Sequence, residues 1–160
     1  MVVIVKFIVV IALPAMALLV CKGYAEYVNA SVERARGFLA LLEHIERKIG
    51  GYLTPPSKLG EGFSDKSLGG MMERIASGES FIDAYRQCAD PLPPSVNKIL
   101  EELFCDFGKG DSRFEIRRVR DASERLKSAV SLMTEEGERQ KKICSAVVPA
   151  FALGIVIFLL

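Results

Sequence analysis

The sequence predicts an all-α fold: a membrane-anchored antiparallel helical bundle with N- and C-terminal transmembrane helices. Three observations predict it. Of the 160 residues, the segments 2–21 and 143–160 together hold one charged residue, Lys6. All 20 acidic residues and the other 20 Lys and Arg lie within 22–142, which therefore has no formal net charge. Apolar residues in this middle segment recur at helical spacing, without the sustained apolar–polar alternation of a half-buried strand.

The first element is a predicted transmembrane helix over residues 2–21. Twenty residues at 1.5 Å rise cover about 30 Å, the thickness of a hydrocarbon core. Lys6 lies close enough to the end to reach the interface, and membrane helices tolerate a residue such as Pro14. The alternative is a cleaved signal peptide, but no small-x-small cleavage site follows the apolar run, and Val20 is too large to precede a lipoprotein cysteine.

The last element is a second predicted transmembrane helix over residues 143–160, with a buried core helix as the alternative. Orientation follows from the Lys and Arg residues beside the two apolar segments. These cations lie on the inner flanks of the pair, so we expect the domain 22–142 to be cytoplasmic and both termini to lie across the membrane. The flanking cations are Lys22, Arg34, Arg36, Arg139, Lys141 and Lys142.

The middle segment predicts one long helix, three short helices and a second long helix. The first long helix continues out of segment 2–21 along a stripe from Val28 to Ile49 and ends at Gly50-Gly51. The last follows a heptad seam from Ile116 to Gln140, which predicts pairing along its length. The narrow apolar faces of the short helices require them to pack on this pair.

The short helices are delimited by capping residues and by proline. One contains Leu68, Met71, Met72 and Ile75 and closes at Ser77-Gly78. The next opens at Ser80 with Asp83 in a capping box and places Phe81, Ala84, Tyr85 and Cys88 inward. The third follows the proline-rich stretch 90–94, with Ser95 as its expected N-cap and Val96, Ile99, Leu100, Leu103, Phe104 and Phe107 on one side.

The turn before the last helix supplies the candidate structural site residues Gly108, Asp111 and Ser112. Gly108 is predicted to adopt a left-handed C-cap conformation, and Ser112 is predicted to cap the next helix in a capping box with Glu115. A phosphate-binding loop is the alternative reading of Gly-Lys-Gly, but the Walker spacing and a preceding strand are missing. We therefore interpret the segment as a helix–helix turn.

No catalytic, cofactor-binding or metal-binding residue is predicted. His44 is the single imidazole and is expected to be a solvated surface residue. The four cysteines form no C-x-x-C pair: Cys88 and Cys105 are expected in the core, and Cys21 and Cys144 at corresponding membrane edges, where they could be neighbours. Acidic and basic residues are interspersed along the last helix, which excludes a nucleic-acid-binding surface there. An enzyme is not expected.

The order of these features resembles the stage III sporulation protein AB family of endospore-forming bacteria. The resemblance covers nearly the whole chain, although Glu115 stands where Gln is common in the family and Tyr85 where Trp is common. It is carried by Leu103, Phe107-Gly108 and Asp111 before the long charged helix and its basic and apolar end, by Arg34, Leu39, Leu42-Glu43, Ile49-Gly50 and Thr54-Pro55, and by Ser80, Ala84-Tyr85 and Ala89.

The resemblance implies a function that composition and periodicity do not. The family is similar to the inner-membrane platform protein of type II secretion and type IV pilus systems. The resemblance implies a non-catalytic scaffold in the mother-cell membrane facing the forespore, where it is part of a multiprotein channel. Its implied partners are a secretion-type ATPase, other channel proteins and the lipid bilayer, and a homo-oligomer is possible. One alternative is an unrelated two-helix membrane adaptor, which gene neighbourhood would distinguish from the sporulation protein. The other is a small membrane enzyme whose site forms in an oligomer, which an assay for hydrolysis would distinguish.

Overall fold

The computed structural model describes the backbone of residues 2–51, 58–63, 65, 67–88 and 92–159, and the side chains of these residues except 2–11, 13, 51, 149, 152, 153 and 156–159. These residues form five helices and no strand, which confirms the all-α prediction for this part of the chain. The helices are α1 (Val2–Gly51), α2 (Gly69–Ala76), α3 (Phe81–Cys88), α4 (Pro94–Cys105) and α5 (Ser112–Leu159).

The chain divides into two compact units. The terminal unit consists of Met1–Ala30 and Met133–Leu160, and the central unit is Ser31–Leu132. Residues 22–30 and 133–142, which the sequence analysis assigns to the middle domain, therefore belong with the apolar ends of the chain.

Helix α1 is continuous over 50 residues and passes through Pro14. The prediction that the first long helix continues from the N-terminal apolar segment to Gly50-Gly51 is thus confirmed. In the central unit its buried face is wider than the predicted stripe, because Phe38 and Leu41 join the core beside Leu42 and Ile45.

The core of the central unit is formed by apolar faces of all five helices. The predicted inward residues of α2, α3 and α4 are buried, except that Cys88 and Phe107 are half-buried and Phe107 lies beyond the end of α4. Cys105 is exposed, so its expected core position is wrong. Helix α5 contributes residues at spacings of 3 and 4, as an amphipathic helix requires. Its buried apolar residues here are Val119, Ala122, Leu126 and Val130.

An aromatic cluster joins three helices of the central unit. The Tyr85 ring on α3 packs edge-on against Phe38 of α1 with centroids 5.6 Å apart, and lies 5.5 Å from Phe104 of α4. Phe81 stacks on Phe104 at 5.7 Å and contacts Phe107 at 4.7 Å. Such ring pairs stabilise by about 0.5–1.5 kcal/mol beyond the contribution of the area that they bury, so the cluster holds α3 and α4 on α1.

The short helices start as local chemistry dictates. Ser80 Oγ accepts the Asp83 N–H at 3.2 Å and donates to Asp83 Oδ2 at 2.6 Å, which confirms the predicted cap of α3. Helix α4 starts differently from the prediction. Pro93 occupies its N-cap and Pro94 its first turn, so Ser95 lies inside the helix. Proline is favoured there because the missing N–H would have had no intrahelical partner.

Membrane spanning stays a prediction. Among the described residues, no helix is long and apolar enough to cross a membrane. The predicted spans 2–21 and 143–160 lie in part outside the residues whose side chains the structure describes.

Candidate functional site

The predicted turn between α4 and α5 depends on a left-handed glycine. Gly108 has a φ of +85°, a backbone conformation that is unfavourable for any residue with a Cβ. The Lys109 N–H donates to the Asp106 carbonyl at 3.3 Å, and its ammonium lies 3.2 Å from Asp106 Oδ1. Both charged side chains are mostly exposed, so this ion pair contributes little to stability.

Helix α5 begins one residue earlier than the predicted cap allows. Ser112 is its first helical residue rather than its N-cap. The Asp111 carbonyl accepts the Phe114 and Glu115 N–H groups, each at 2.9 Å, which places Asp111 at the cap position. Glu115 then reaches back past it, because its Oε1 accepts the Gly110 N–H at 3.0 Å. The carboxylate therefore closes the turn, in a register shifted from the expected capping box.

Glu115 is an unusual buried carboxylate. It is 5% exposed, and its Oε2 is buried without a hydrogen-bond partner. The Arg118 guanidinium lies 3.9 Å from Oε1, but it donates to the carbonyls of Asp106 at 3.1 Å and Glu102 at 3.2 Å. Arg118 thus ties the start of α5 to the end of α4, and Glu115 is left with one hydrogen-bonded and one unpaired oxygen.

An exposed aromatic ring lies on the first turn of α5. Phe114 is 55% exposed, although the Arg118 guanidinium lies 5.7 Å from its ring centroid. Arg113 and Arg117 flank the ring on the same helix face, are exposed, and make no ion pair or hydrogen bond among the described residues. We call Arg113, Phe114 and Arg117 the arginine–phenylalanine face. The sequence predicts only a solvated face of mixed charge here, because Glu115 and Asp121 lie among the arginines, and so it does not reveal this surface.

In the terminal unit, α1 and α5 run antiparallel in direct contact. The Lys141 ammonium donates to Asn29 Oδ1 at 2.7 Å, and a Cβ on Gly137 would lie 2.9 Å from Val28 Cγ1. Residues 28–29 thus meet 137–141 at one level. Further along, the Cys21 and Cys144 side chains lie close enough to interact, which confirms the expected proximity of these two residues.

Beside the two cysteines, the helix pair encloses a groove of about 260 Å³. Its lining is mostly apolar, and it includes the lysine residues Lys22 and Lys141. We call it the cysteine groove. It is lined by Leu18, Cys21, Lys22, Tyr24, Ala25, Gln140, Lys141, Cys144 and Ser145.

Large apolar side chains point outward from both helices of the terminal unit. Val20 and Phe151 are each 70% exposed, a high exposure for residues of this size. Tyr24 and Tyr27 follow on α1 at 45% and 53% exposure. The other members of this exposed apolar surface are Met16, Leu18, Leu19, Ile143 and Val147.

No arrangement for acid–base or metal chemistry is found among the described residues, where no group of three His, Cys, Asp or Glu could hold a metal ion. His44 is not the solvated residue that the sequence predicts. Its ring lies 5.6 Å from that of Phe63, and its Nε2 is buried without a hydrogen-bond partner. The sequence gives no signal for this contact, which joins α1 to the segment before α2.

A polar cluster around Tyr85 has a structural role. The Tyr85 hydroxyl hydrogen-bonds with Asn97 Oδ1 on α4, and Arg34 on α1 donates to the Cys88 carbonyl at 2.9 Å. The pKa of Tyr85 is raised to about 12, chiefly by burial and also by the Glu101 carboxylate, against the opposing effect of the Arg34 guanidinium. A phenol that keeps its proton at neutral pH acts here as a hydrogen-bond donor that holds α3 to α4.

Comparisons with known protein families, with curated proteins and with solved structures find no match for this chain.

Proposed function

We propose that the chain is a non-catalytic membrane platform of the sporulation channel between mother cell and forespore, and that it docks a secretion-type ATPase. The observation that carries the membrane part is the exposed apolar surface of the terminal unit. Side chains such as Leu19, Val20 and Phe151, 69–70% exposed, belong in hydrocarbon rather than in water. The resemblance to stage III sporulation protein AB supplies the sporulation part.

The side chains that follow this surface suit a membrane–water interface. Tyr24 and Tyr27 are half-exposed, and tyrosines are enriched where an apolar ring meets lipid and a hydroxyl meets water. Lys22 on α1 and Lys141 and Lys142 on α5 lie at the same end of the apolar segments. Their placement favours a cytoplasmic central unit by the positive-inside rule.

Cys105 allows this orientation to be tested with a native side chain. Its thiol is exposed in the central unit, so it can react with a membrane-impermeant maleimide. In a variant whose other three cysteines are replaced by Ser, we expect labelling only after the cells are permeabilised. Labelling of intact cells would overturn the cytoplasmic assignment, and recovery of the chain in the soluble fraction would overturn membrane anchoring itself.

The arginine–phenylalanine face supports the docking part of the proposal. Protein interfaces are enriched in aromatic residues and Arg, and their strongest contacts are aromatic anchors that fill a partner's pocket. Residues 106–120 hold five Lys and Arg against three Asp and Glu, so the region around Phe114 is positive. The matching partner is a surface with an apolar pocket and an acidic rim, which we assign to the ATPase.

A pull-down of the ATPase by the full chain in lipid nanodiscs tests this docking. The proposal requires a gene for a secretion-type ATPase beside that of this chain, and the product of that gene is the ATPase to use. Phe114→Ala is expected to reduce binding at least tenfold, as truncation of a buried aromatic anchor does. Leu132→Ala is the matched control, because Leu132 is the other large exposed apolar residue described in the central unit, at 61%. Equal binding by both variants and the parent chain would place the docking face elsewhere, and no binding by the parent chain would refute the partner.

A further inference from the structure

The cysteine groove of the terminal unit combines an apolar floor with two cationic side chains. Leu18, Cys21, Ala25 and Cys144 contribute apolar surface, and the cationic residues Lys22 and Lys141 also line the groove. All of these residues lie within the terminal unit, where the antiparallel pair of α1 and α5 holds them together. An apolar channel beside paired cations suits an amphiphile that carries a negative charge.

The size of the groove limits what it can hold. Its 260 Å³ lies just below the range of about 300–1,000 Å³ that is usual for sites that bury a drug-sized molecule. A whole phospholipid does not fit, but the upper part of one acyl chain does. The remainder of the lipid would then continue along the exposed apolar surface outside the groove, where Val20 and Leu19 are 70% and 69% exposed.

Both lysines keep the capacity to bind an anion. Lys141 donates one N–H to Asn29 Oδ1 at 2.7 Å, which positions the ammonium and leaves two more donors. Lys22 lies 3.9 Å from Glu26, but the side chains are 76% and 70% exposed, so that the pair is weak and easily exchanged for a better anion. Arg139 and Lys142, which are exposed beside Lys141 on α5, add to the positive charge around the groove.

We propose that the cysteine groove binds one anionic phospholipid, with the start of an acyl chain against Leu18 and Cys144 and the phosphate between Lys22 and Lys141. This inference rests on the proposed membrane function and adds a lipid preference to it. Basic pockets between membrane helices at the cytoplasmic side bind anionic head groups in this way. A zwitterionic choline lipid carries no net charge and gains less from the two lysines.

Native mass spectrometry of the full chain in detergent tests the proposal. The protein is titrated separately with phosphatidylglycerol and with phosphatidylcholine of the same acyl chains, and the retained lipid is counted. The parent chain is expected to retain one phosphatidylglycerol in preference to phosphatidylcholine. The double variant Lys22→Gln and Lys141→Gln is expected to bind phosphatidylglycerol about 25-fold more weakly, roughly fivefold for each lysine. The double variant Lys98→Gln and Lys127→Gln makes the same charge change at exposed positions of the central unit and should retain the preference.

A second pair of variants tests the apolar part of the groove. Ala25→Leu fills the groove and is expected to reduce the binding of both lipids, whereas Ala30→Leu adds the same side chain at an exposed position of α1 and should change neither. Equal retention of the two lipids by the parent chain would overturn the inference while leaving the membrane proposal standing. Glycerol phosphate that competes as well as the lipid would also overturn it, because the groove would then bind an anion without a chain. The membrane proposal fails separately, if the chain does not enter vesicles of either lipid.

Discussion

Two substitutions of Glu115 distinguish the stabilising contribution of its hydrogen bond to the α4–α5 turn from that of its negative charge. Glu115→Ala removes the acceptor of the Gly110 N–H, a bond of 3.0 Å. A hydrogen bond to a charged group contributes about 1.5–3 kcal/mol, but Gly110 is exposed and its N–H can bond to water instead. We therefore expect Glu115→Ala to lower the free energy of unfolding by about 1–2 kcal/mol.

Glu115→Gln keeps the acceptor and removes the charge. The amide oxygen still accepts the Gly110 N–H, and the unpaired Oε2 is replaced by a neutral amide, which costs less to bury than a charged oxygen. Arg118 loses a contact of 3.9 Å to Glu115 but keeps Asp106 Oδ2 at 3.7 Å and two carbonyl acceptors. We expect the free energy of unfolding to stay within about 0.5 kcal/mol of the parent chain.

Hydrogen exchange measured on the full chain in detergent gives the local readout. In Glu115→Ala, the Gly110 amide should exchange about tenfold faster, which corresponds to about 1.4 kcal/mol, whereas in Glu115→Gln it should exchange as in the parent chain. Glu124→Gln is the control for the charge change, since Glu124 is exposed on the same helix. If Glu115→Gln and Glu115→Ala destabilise the chain equally, the negative charge rather than the hydrogen bond stabilises the turn, and the reasoning is wrong.

Three further predictions follow from the fold. Gly108→Val should lower the free energy of unfolding by about 1–3 kcal/mol because the φ of Gly108 is +85°, whereas Lys109→Ala should change it by less than about 0.5 kcal/mol. Urea denaturation measures both, and a Gly108→Val chain that is as stable as the parent would contradict the first expectation. Copper phenanthroline should join Cys21 to Cys144 in a variant without the other cysteines, and failure with both thiols open to alkylation would show that the helices are apart. The pKa of Tyr85 is raised from 10.0 to about 12, so the unfolded chain loses this proton first: its stabilising effect is complete below pH 10 and is lost as the pH rises toward 12. Urea midpoints at pH 9 and 11 should therefore differ more for the parent chain than for Tyr85→Phe, and an equal shift would contradict burial of the phenol.

The helices and their buried faces were predictable because burial imposes a period on the sequence. Met71, Met72 and Ile75 sit at helical spacing and are all buried, as are Leu126 and Val130 on α5. Glycine and proline marked the ends, since each changes the allowed backbone angles regardless of tertiary context.

The caps and the edges of the buried faces were less predictable. Ser95 and Ser112 are good N-caps by type, but Pro93 and Asp111 take the cap positions one or two residues earlier. Spacing alone could not decide between the neighbouring polar residues Asp111 and Ser112, and residue type did not identify Pro93 as a cap. Cys105 follows the buried Phe104, but a helix of 3.6 residues per turn places it on the opposite side of α4 from Val96, and it is exposed. The packing of His44 depends on a partner far away in sequence.

The sidedness of α5 changes along its length, and this change is the strongest argument for two different environments. In the central unit the large apolar residues Val119, Leu126 and Val130 are buried, as water requires. In the terminal unit the small residue Gly137 is buried against α1, whereas large apolar residues such as Val147 and Phe151 are exposed at 47% and 70%. Small residues between helices and large apolar residues outside them are typical of helix pairs in lipid, where the bilayer rather than the protein covers the apolar surface. One continuous helix thus buries its large apolar residues in its first part and exposes them in its last, which is the pattern that the proposed membrane anchor requires.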